Sequence, residues 1–209
     1  MKKEREPTRK LSGVVTVHEI QQERFSLQLK GINPLLMERK SPRIIQEIQT
    51  KQEQRVNPEK GAPKDFDALY EEAHYRLENG DLCFPAVAFK QACEDAARRY
   101  TGGEIKGTVT AGGFFVEGDM VPVKYGRIER TVELVKVPPR TGKLTPLHRP
   151  LVHDWSVVIT IRFNKKGPAI SAERIVYLFQ LAGFHIGVGR KRPGLGHGYS
   201  LGTWEVAGA

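Results

Sequence analysis

The chain has 209 residues and carries 33 Lys and Arg against 24 Asp and Glu, a formal net charge of +9. This length favours one domain with insertions over two small domains. No apolar run approaches the roughly 20 residues that cross a bilayer, and no apolar segment follows the charged start. We therefore expect neither a membrane anchor nor a signal peptide, and a cytoplasmic protein. The positive excess predicts a polyanionic partner, with nucleic acid first.

The N-terminal part of the sequence predicts an arm followed by a strand. Residues 1–10 are almost all charged or polar and predict a flexible basic arm, with one domain over residues 11–209. In residues 24–30, Phe25, Leu27 and Leu29 alternate with polar neighbours, which is the period of a half-buried strand. Residues 31–34 then predict a turn because they contain Gly, Asn and Pro.

Residues 38–80 predict an insertion that projects from the domain. The stretch is rich in Lys, Arg, Gln and Glu, contains prolines, and is too long for a simple connection in a compact domain. Ser41 could cap one helix with Pro42 in its first turn, and residues 66–77 predict a second short helix. Arg39, Lys40, Arg43, Lys51 and Arg55 give this insertion a basic character.

The next elements alternate between helices and strands. A short strand over 82–84 precedes a helix that Pro85 starts and that runs through Tyr100. Glycine-separated apolar runs predict strands or hairpins at 108–110, 114–116, 120–123 and 131–137, followed by a basic loop over 138–143. Residues 156–163 form the clearest strand pattern. The buried stripe expected on the helix that Pro85 starts consists of Val87, Phe89, Ala92, Cys93 and Ala96.

The C-terminal part predicts a last helix, a loop and a last strand. Ser171 is the expected cap of a helix with Ile175, Leu178, Phe179 and Ala182 on one face. A final strand is expected over 199–206. Trp155 and Trp204 open and close strands and are expected in the core. The overall order of elements predicts an α+β fold.

The most informative feature is the glycine-rich loop, residues 187–198 (GVGRKRPGLGHG). Its five glycines allow the backbone to approach a phosphate, while Arg190, Lys191 and Arg192 supply positive charge. The spacing matches neither a P-loop nor a dinucleotide fingerprint, so no nucleotide cofactor is expected. The alternative is that the glycines serve a tight helix-to-strand crossing and the three cations are only solvated.

Three segments in order resemble the repeat-associated mysterious protein (RAMP) superfamily, whose members include backbone subunits of CRISPR effector complexes. They are GINPLLM at 31–37, FPAVAFKQA at 84–92, and the glycine-rich loop between the last helix and the last strand. The resemblance implies a ferredoxin-like (RRM-like) core with a large helical insertion and additional β-hairpins. It also implies single-stranded RNA bound by backbone contacts, head-to-tail homo-oligomers, and other effector subunits as partners. The resemblance also includes a phage-encoded relative of this superfamily as an expected origin.

The resemblance also implies which residues meet the nucleic acid. Lys90 would approach the strand from the proline-started helix, and the basic insertion would lie over the strand as a thumb. The loop over 138–143 adds two further cations. The expected nucleic-acid-binding residues are Arg39, Lys40, Arg43, Lys51, Arg55, Lys90, Arg140, Lys143, Gly187, Gly189, Arg190, Lys191, Arg192, Gly194, Gly196, His197 and Gly198.

We expect no enzymatic activity and no metal or cofactor. Backbone subunits that cut their target use an aspartate after the first strand, and the corresponding ERKSPR segment has none. One alternative is a metal-independent endoribonuclease with a general-base histidine, for which His153, His185 and His197 are the candidates. Another is a phage structural or assembly protein. Cys83 and Cys93 have no CxxC spacing or nearby His cluster, so buried thiols are expected rather than a zinc site.

The aromatic residues Phe114 and Phe115 allow two interpretations. Phe114 and Phe115 follow two glycines and resemble in part the aromatic strand of RNA-recognition modules, where bases stack on rings. The basic residues that accompany such a strand are incomplete here. The burial tendency of phenylalanine therefore favours hairpin core for both rings.

Overall fold

A computed structural model describes residues 20–40, 45–46, 49, 65–137, 142–165 and 170–208. The predicted arm over 1–10, the predicted cap at Ser41, and four of the expected contact residues lie outside these ranges. Those four are Arg43, Lys51, Arg55 and Arg140.

The described residues form two antiparallel sheets. In the larger sheet the order is β3-β5-β8-β1-β9, and β4 also pairs with β8; the smaller sheet has the order β2-β7-β6. The strands are β1 (Gln22–Gly31), β2 (Leu35–Leu36), β3 (Cys83–Pro85), β4 (Phe114–Val116), β5 (Met120–Lys124), β6 (Arg127–Val137), β7 (Lys143–His153), β8 (Ser156–Asn164) and β9 (Trp204–Val206).

Four α-helices lie wholly within the described ranges, and the described residues 45–46 and 49 are also helical. The longest, α2 (Ala86–Tyr100), and α4 (Ala172–His185) pack against one another and contribute to the single buried core. The shorter helices are α1 (Phe66–Glu72) and α3 (Gly107–Gly113), and Pro193–Leu195 forms one 3-10 turn. The predicted α+β class is confirmed as a mixed chain with antiparallel sheets. Within the described residues, no helix is both long and apolar enough for a bilayer crossing.

Strand alternation gives the larger sheet one buried and one outward face. Phe25 lies opposite Ile161 and Leu29 opposite Val157 in the β1–β8 register, and these side chains point toward the helices. Polar residues such as Ser26 and Thr160 occupy the other face. This is the hydrophobic-in, polar-out pattern of an antiparallel sheet with one solvated face.

The helices cover the buried face as the sequence predicted. Phe89 of α2 packs edge-on against Trp204, with ring centroids 5.7 Å apart, and Trp155 is also fully buried. Ser171 caps α4 by accepting a hydrogen bond from the amide of Arg174 at 3.4 Å. Both tryptophans are therefore confirmed as core residues. Both cysteines are buried free thiols, as expected.

The sequence predicts only one of the two strands in the long β6–β7 hairpin. Residues 131–137 read as a strand, but β7 was missed because Pro146 and Pro150 interrupt its pattern. Among the described residues, β2 pairs only with Leu151 and Val152, which leaves most of β7 at a sheet edge. Proline is tolerated there because its missing N–H removes no ladder bond.

Three further expectations were wrong in detail. Residues 108–110 belong to the helix α3 rather than to a strand. Val87 is exposed, although the rest of its predicted stripe on α2 is buried. The last strand covers only Trp204–Val206, because residues 201–202 form a turn before it, in which Gly202 has a positive φ of 67°. Glycine is the residue that adopts this backbone conformation without strain.

The C-terminal part of the predicted insertion does not project. Helix α1 lies against the β6–β7 hairpin, where the ring of Phe66 is 5.1 Å from that of His148. Arg130 of β6 also donates to the carbonyl oxygen of Phe66 at 3.2 Å. Ala73 and His74, directly after α1, are buried. Residues 66–74 are therefore part of the packed domain.

Candidate nucleic-acid interface

The glycine-rich loop runs beside β2 and is fastened to it. The amide of Arg190 donates to the carbonyl oxygen of Leu36 at 2.9 Å. Gly189 has a φ of 79°, and a Cβ at this position would lie 2.7 Å from the Leu36 carbonyl oxygen. Only glycine allows the loop to approach β2 this closely. The loop therefore links the end of α4 to the smaller sheet.

The backbone amides of this loop are largely used inside the protein. The amides of Gly187, Val188 and Gly194 donate to the carbonyls of Ala182, Gly202 and Ile186, and that of Gly196 donates to Pro193, all within 2.9 Å. At these positions the expected approach of amides to phosphates is wrong, because each N–H already has its acceptor. Phosphate contacts from the loop would come mainly from its side chains.

A buried arginine organises the charges around the loop. The guanidinium of Arg149 donates from Nη2 to Glu38 Oε1 and from Nη1 to Glu133 Oε2, each at 2.6 Å. Its side chain is only 5% exposed. The second oxygen of each carboxylate faces the loop: Arg190 Nε lies 3.2 Å from Glu38 Oε2, and Lys191 Nζ lies 3.2 Å from Glu133 Oε1. We call these five side chains the charge cluster.

The charge cluster changes the interpretation of the loop cations. Arg190 and Lys191 are not merely solvated, because each pairs with a carboxylate that it shares with Arg149. Three cations face two carboxylates, so the cluster keeps a surplus positive charge. Arg190 remains 52% exposed. The third loop cation, Arg192, is partly buried and donates from Nη1 to the Gly189 carbonyl oxygen at 3.0 Å.

A groove of about 360 Å³ separates the loop from the beginning of α2. On the loop side it is lined by Gly189, Arg190, Arg192 and Leu195. The opposite side consists of Val87, Ala88 and Gln91 of α2, with Tyr75, Phe84, Pro85 and Glu38 between the two walls. This placement explains why Val87 is exposed, since it faces the groove rather than the core.

The beginning of α2 adds to the positive character of this groove. Pro85 caps the helix without a side-chain hydrogen bond, and the first turn contains no acidic residue. The first amides of a helix lack intrahelical partners and carry a partial positive charge. Of these, the Ala86 amide donates to the Asp119 carbonyl oxygen. The next amides lie in the turn whose residues line the groove.

The expected contact of Lys90 with nucleic acid is wrong. Its side chain is buried between α2 and α3, where Nζ donates to the carbonyl oxygen of Thr110. The ammonium lies 3.6 Å from the ring centroid of Phe114 and 3.9 Å from Glu94 Oε1. Burial lowers the pKa of Lys90 below its ordinary value. A lysine held in this way stabilises the packing of α2 on α3 and does not reach a strand outside.

The other expected contact residues are distributed unevenly. Arg39 and Lys40 are exposed and follow Glu38 of the charge cluster. His197 and Gly198 lie on the exposed end of the loop with positive φ, as does Gly196. Lys143 begins β7, at the far end of the hairpin from the charge cluster. Among the expected contact residues that the structure describes, those around the loop and β2 therefore gather at one surface.

The three candidate histidines have different environments. Nε2 of His153 lies 3.1 Å from Glu129 Oε2. The ring of His185 stacks on Tyr100, with centroids 4.1 Å apart and planes 9° apart. His197 has a ring contact with Tyr199 at 5.9 Å. Across the described ranges no group of three or more His, Cys, Asp or Glu side chains could hold a metal ion.

Sequence reasoning missed Glu38, Glu133 and Arg149. The sequence pattern identifies Glu38 only as the start of the insertion, and Arg149 lies in a segment for which it predicts no strand. These three side chains come into contact because β7 pairs with β2 on one side and with β6 on the other. A lone arginine next to a proline gives no signal of this arrangement. The pairing could not be found without the tertiary fold.

Comparison with known proteins adds one structural likeness. No family model matches the chain, and no curated protein matches it. The chain is similar to a chain in the cryo-EM structure of the Type III-B Cmr-beta bound to cognate target RNA, with a TM-score of 0.53 and 8% identity. The match covers 88% of this chain and 58% of the other, so this chain spans little more than half of that neighbour's length. At this identity the likeness concerns the fold.

Proposed function

We propose that this protein binds single-stranded nucleic acid, RNA in preference to DNA, through backbone contacts in the groove between the glycine-rich loop and α2, without cutting it. The observation that carries the proposal is the convergence of Arg190, Arg192 and the uncapped helix end on one groove. Anions bind favourably at such helix ends, and arginine matches phosphate geometry. The likeness to a chain of an RNA-bound complex supports RNA as the ligand.

The charge cluster gives this groove a mechanism for binding. Arg190 is half exposed and shares Glu38 with Arg149, so it can turn toward a phosphate while Arg149 still neutralises the carboxylate. Lys191 stands in the same relation to Glu133. Each phosphate contact also releases counterions from the strand, which makes the affinity depend on salt and little on sequence.

We further propose a ferredoxin-like core and membership of the RAMP superfamily. The strand order β9-β1-β8-β4/β5 with α2 after β1 and α4 after β8 supports it, because neighbouring strands are antiparallel and both helices contribute to one core. On this basis the protein acts as a subunit of a ribonucleoprotein complex of the CRISPR effector type. Copies of the chain would follow one another head to tail along the strand.

Binding of labelled single strands across a salt series tests the groove assignment. The double variant Arg190→Gln/Arg192→Gln should lose about tenfold or more in affinity at low salt and reduce the salt slope by about two, one for each lost phosphate contact. The matched control is Arg174→Gln/Lys106→Gln, which removes two exposed cations elsewhere. We expect the control to bind like the unmodified protein.

The same experiment can contradict the proposal. If both double variants weaken binding equally, the affinity arises from net charge and the groove has no special part. If neither variant changes the affinity, the strand binds elsewhere. Circular dichroism and thermal unfolding of each variant show that the comparison concerns folded proteins.

A second candidate function is a metal-independent endoribonuclease that uses His153. The observation that favours it is the contact between His153 and Glu129, which gives one of the three histidines a carboxylate partner. A carboxylate can orient an imidazole that acts as a general base. The other two histidines contact aromatic rings.

Cleavage of labelled RNA distinguishes the two functions. A metal-independent endoribonuclease would produce RNA fragments in the presence of a metal chelator. His153→Ala would abolish these fragments, whereas the matched control His185→Ala would not. Glu129→Gln would lower the rate without eliminating cleavage, since the carboxylate acts through His153. A protein that binds RNA and yields no fragments with any variant supports the binding function alone.

A further inference from the structure

The outward face of the larger sheet carries a second set of groups suited to nucleic acid. Residues directly opposite each other on antiparallel strands share a face. The registers place Phe115 opposite Arg162, and Arg162 opposite Arg24, so these three side chains form one row across β4, β8 and β1. We call this row the sheet-face row. The glycine-rich loop and α2 are not part of it.

Two arginines directly opposite each other need an explanation. Like charges in this position destabilise a sheet. Here Glu117 lies between them, with Oε1 at 2.7 Å from Arg24 Nε and 3.7 Å from Arg162 Nε. One carboxylate for two guanidinium groups leaves one positive charge in surplus. Packing does not require the pair, because both side chains are at least one-third exposed.

An exposed aromatic ring stands beside these cations. Phe115 is 51% exposed, whereas its neighbour Phe114 is fully buried, so only one of the two rings is core. The guanidinium of Arg162 lies 5.4 Å from the centroid of the Phe115 ring and donates to Gln22 Oε1 at 3.1 Å. The cation is thus held over one side of the Phe115 ring, and about half of this side chain remains exposed.

Apart from Val158, the rest of this face is polar and net positive. Along the strands, the next row contains the hydroxyls of Ser26 and Thr160, whose oxygens are 3.3 Å apart. Four residues farther along β1, at a distance of about 13 Å, Lys30 and Lys124 flank Ser156. Glu205 lies opposite Lys30. The face therefore presents cations at both ends and hydroxyls between them.

We propose that the outward face of the larger sheet is a second binding site for single-stranded nucleic acid, in which a base stacks on Phe115 while Arg24 and Arg162 contact flanking phosphates. Base stacking on aromatic side chains and cationic tracking of the backbone are the two components of sequence-independent single-strand binding. A protein partner fits this face less well. The large exposed apolar side chains of this face near the row are Phe115 and Val158. The cores of protein interfaces are depleted of charged residues, whereas this face carries several of them.

The site goes beyond the proposed groove, although it rests on the proposed function in one respect, that the protein meets single strands. A strand that occupies both sites would cross from the helix side of the domain to the sheet side. The two sites can be tested independently, because no residue of the sheet-face row lines the groove.

Tryptophan fluorescence tests the site directly. Trp155 and Trp204 are each 1% exposed, so a tryptophan introduced by Phe115→Trp supplies the solvent-accessible signal. Titration with a short single-stranded RNA should quench this signal to saturation, since a base stacks on the indole. The matched control is Phe184→Trp on α4, because Phe184 is 73% exposed and lies on the helix side. We expect no saturable quenching there.

Affinity and anisotropy complete the test. Phe115→Ala should weaken binding about tenfold, within the range for loss of one stacked base, and Phe184→Ala should not. If the anisotropy of the RNA rises while Phe115→Trp stays unquenched, the sheet site is wrong and the proposed function stands. If Phe115→Trp is quenched but the groove variants bind normally, the groove assignment is wrong and the sheet site stands. Equal quenching of both tryptophans overturns the sheet site.

Discussion

Arg149 and Lys90 are two buried cations in one domain, and the protein neutralises them differently. Arg149 contacts two carboxylates at 2.6 Å, and each of these carboxylates also contacts a cation of the glycine-rich loop. Lys90 has one carboxylate at 3.9 Å and otherwise a carbonyl oxygen and a phenyl ring. The first arrangement links three segments of the chain, whereas the second joins two adjacent helices.

Arg149 holds charged side chains at the protein surface in place, whereas Lys90 stabilises the packing of two helices. Around Arg149 the charges are shared, so that Arg190 can leave its carboxylate without exposing an unpaired buried charge. Around Lys90 the recorded contacts within the described ranges are with Glu94, Thr110 and Phe114, and none of these is a cation. A basic residue in a motif is therefore a poor guide to nucleic-acid contact unless its surroundings are known.

Removal of Arg149 should have the largest effect. Arg149→Met leaves Glu38 and Glu133 facing each other across an apolar side chain, and loss of one partner of a buried ion pair costs about 3–5 kcal/mol. Because both carboxylates are about one-third exposed, we expect about 2–3 kcal/mol lower free energy of unfolding. Urea denaturation measures it.

The control for this prediction is Arg24→Met. Arg24 also has a carboxylate at 2.7 Å, but its side chain is 61% exposed. Exposed ion pairs contribute about 0.2–1 kcal/mol, so the control should lose less than Arg149→Met. Equal losses would show that burial does not distinguish the two arginines.

The strands and helices of the core were largely predictable, because their signals are local. Alternation in residues 24–30 and the β-branched residues of 156–163 identified the two central strands, and Ser171 identified the start of α4. The sequence misidentified α3, where Val109 and two threonines favour a strand but the segment packs on α2. It also missed β7, since prolines hide an edge strand.

The candidate site was predictable only in part. The glycine-rich loop could be located from its composition, but the partners of its cations could not. Glu38, Glu133 and Arg149 are separated by 16 to 111 residues in the chain and meet through strand pairing. The exposure of Phe115 likewise depends on which face of β4 it occupies. Adjacent residues of a strand point to opposite faces, and two neighbouring phenylalanines do not reveal which of them is buried.

The second prediction concerns Glu133, which holds Lys191. In Glu133→Gln, Lys191 loses its carboxylate and becomes available to a phosphate, while Arg149 keeps Glu38. We expect about threefold tighter binding of single-stranded RNA at low salt, in keeping with the roughly 0.2–1 kcal/mol of an ion pair that solvent reaches. The matched control is Glu104→Gln, an exposed residue whose loss gives the same change in net charge. Equal tightening in both variants would mean that net charge alone acts.

The third prediction uses pH to examine Lys90. Burial lowers its pKa in the folded protein, while the unfolded chain keeps the ordinary value of 10.5. Between these two pKa values the unfolded state binds the proton that the folded state has released, so the free energy of unfolding rises with pH. For this one group the slope is at most about 1.4 kcal/mol per pH unit. Lys90→Met should lack this contribution.

The difference between the two proteins isolates Lys90 from other groups that titrate in alkali. Burial raises the pKa values of Tyr75, Cys83 and Cys93, which lowers stability as pH rises, but it does so in both proteins. Urea denaturation from neutral pH to just above 10 should therefore show the unmodified protein gaining stability relative to Lys90→Met. If the stability of the two proteins changed in parallel with pH, the prediction that burial lowers the pKa of Lys90 would be wrong. RNA affinity should be the same for both proteins at neutral pH, because Lys90 contacts Thr110 and Phe114 rather than the groove.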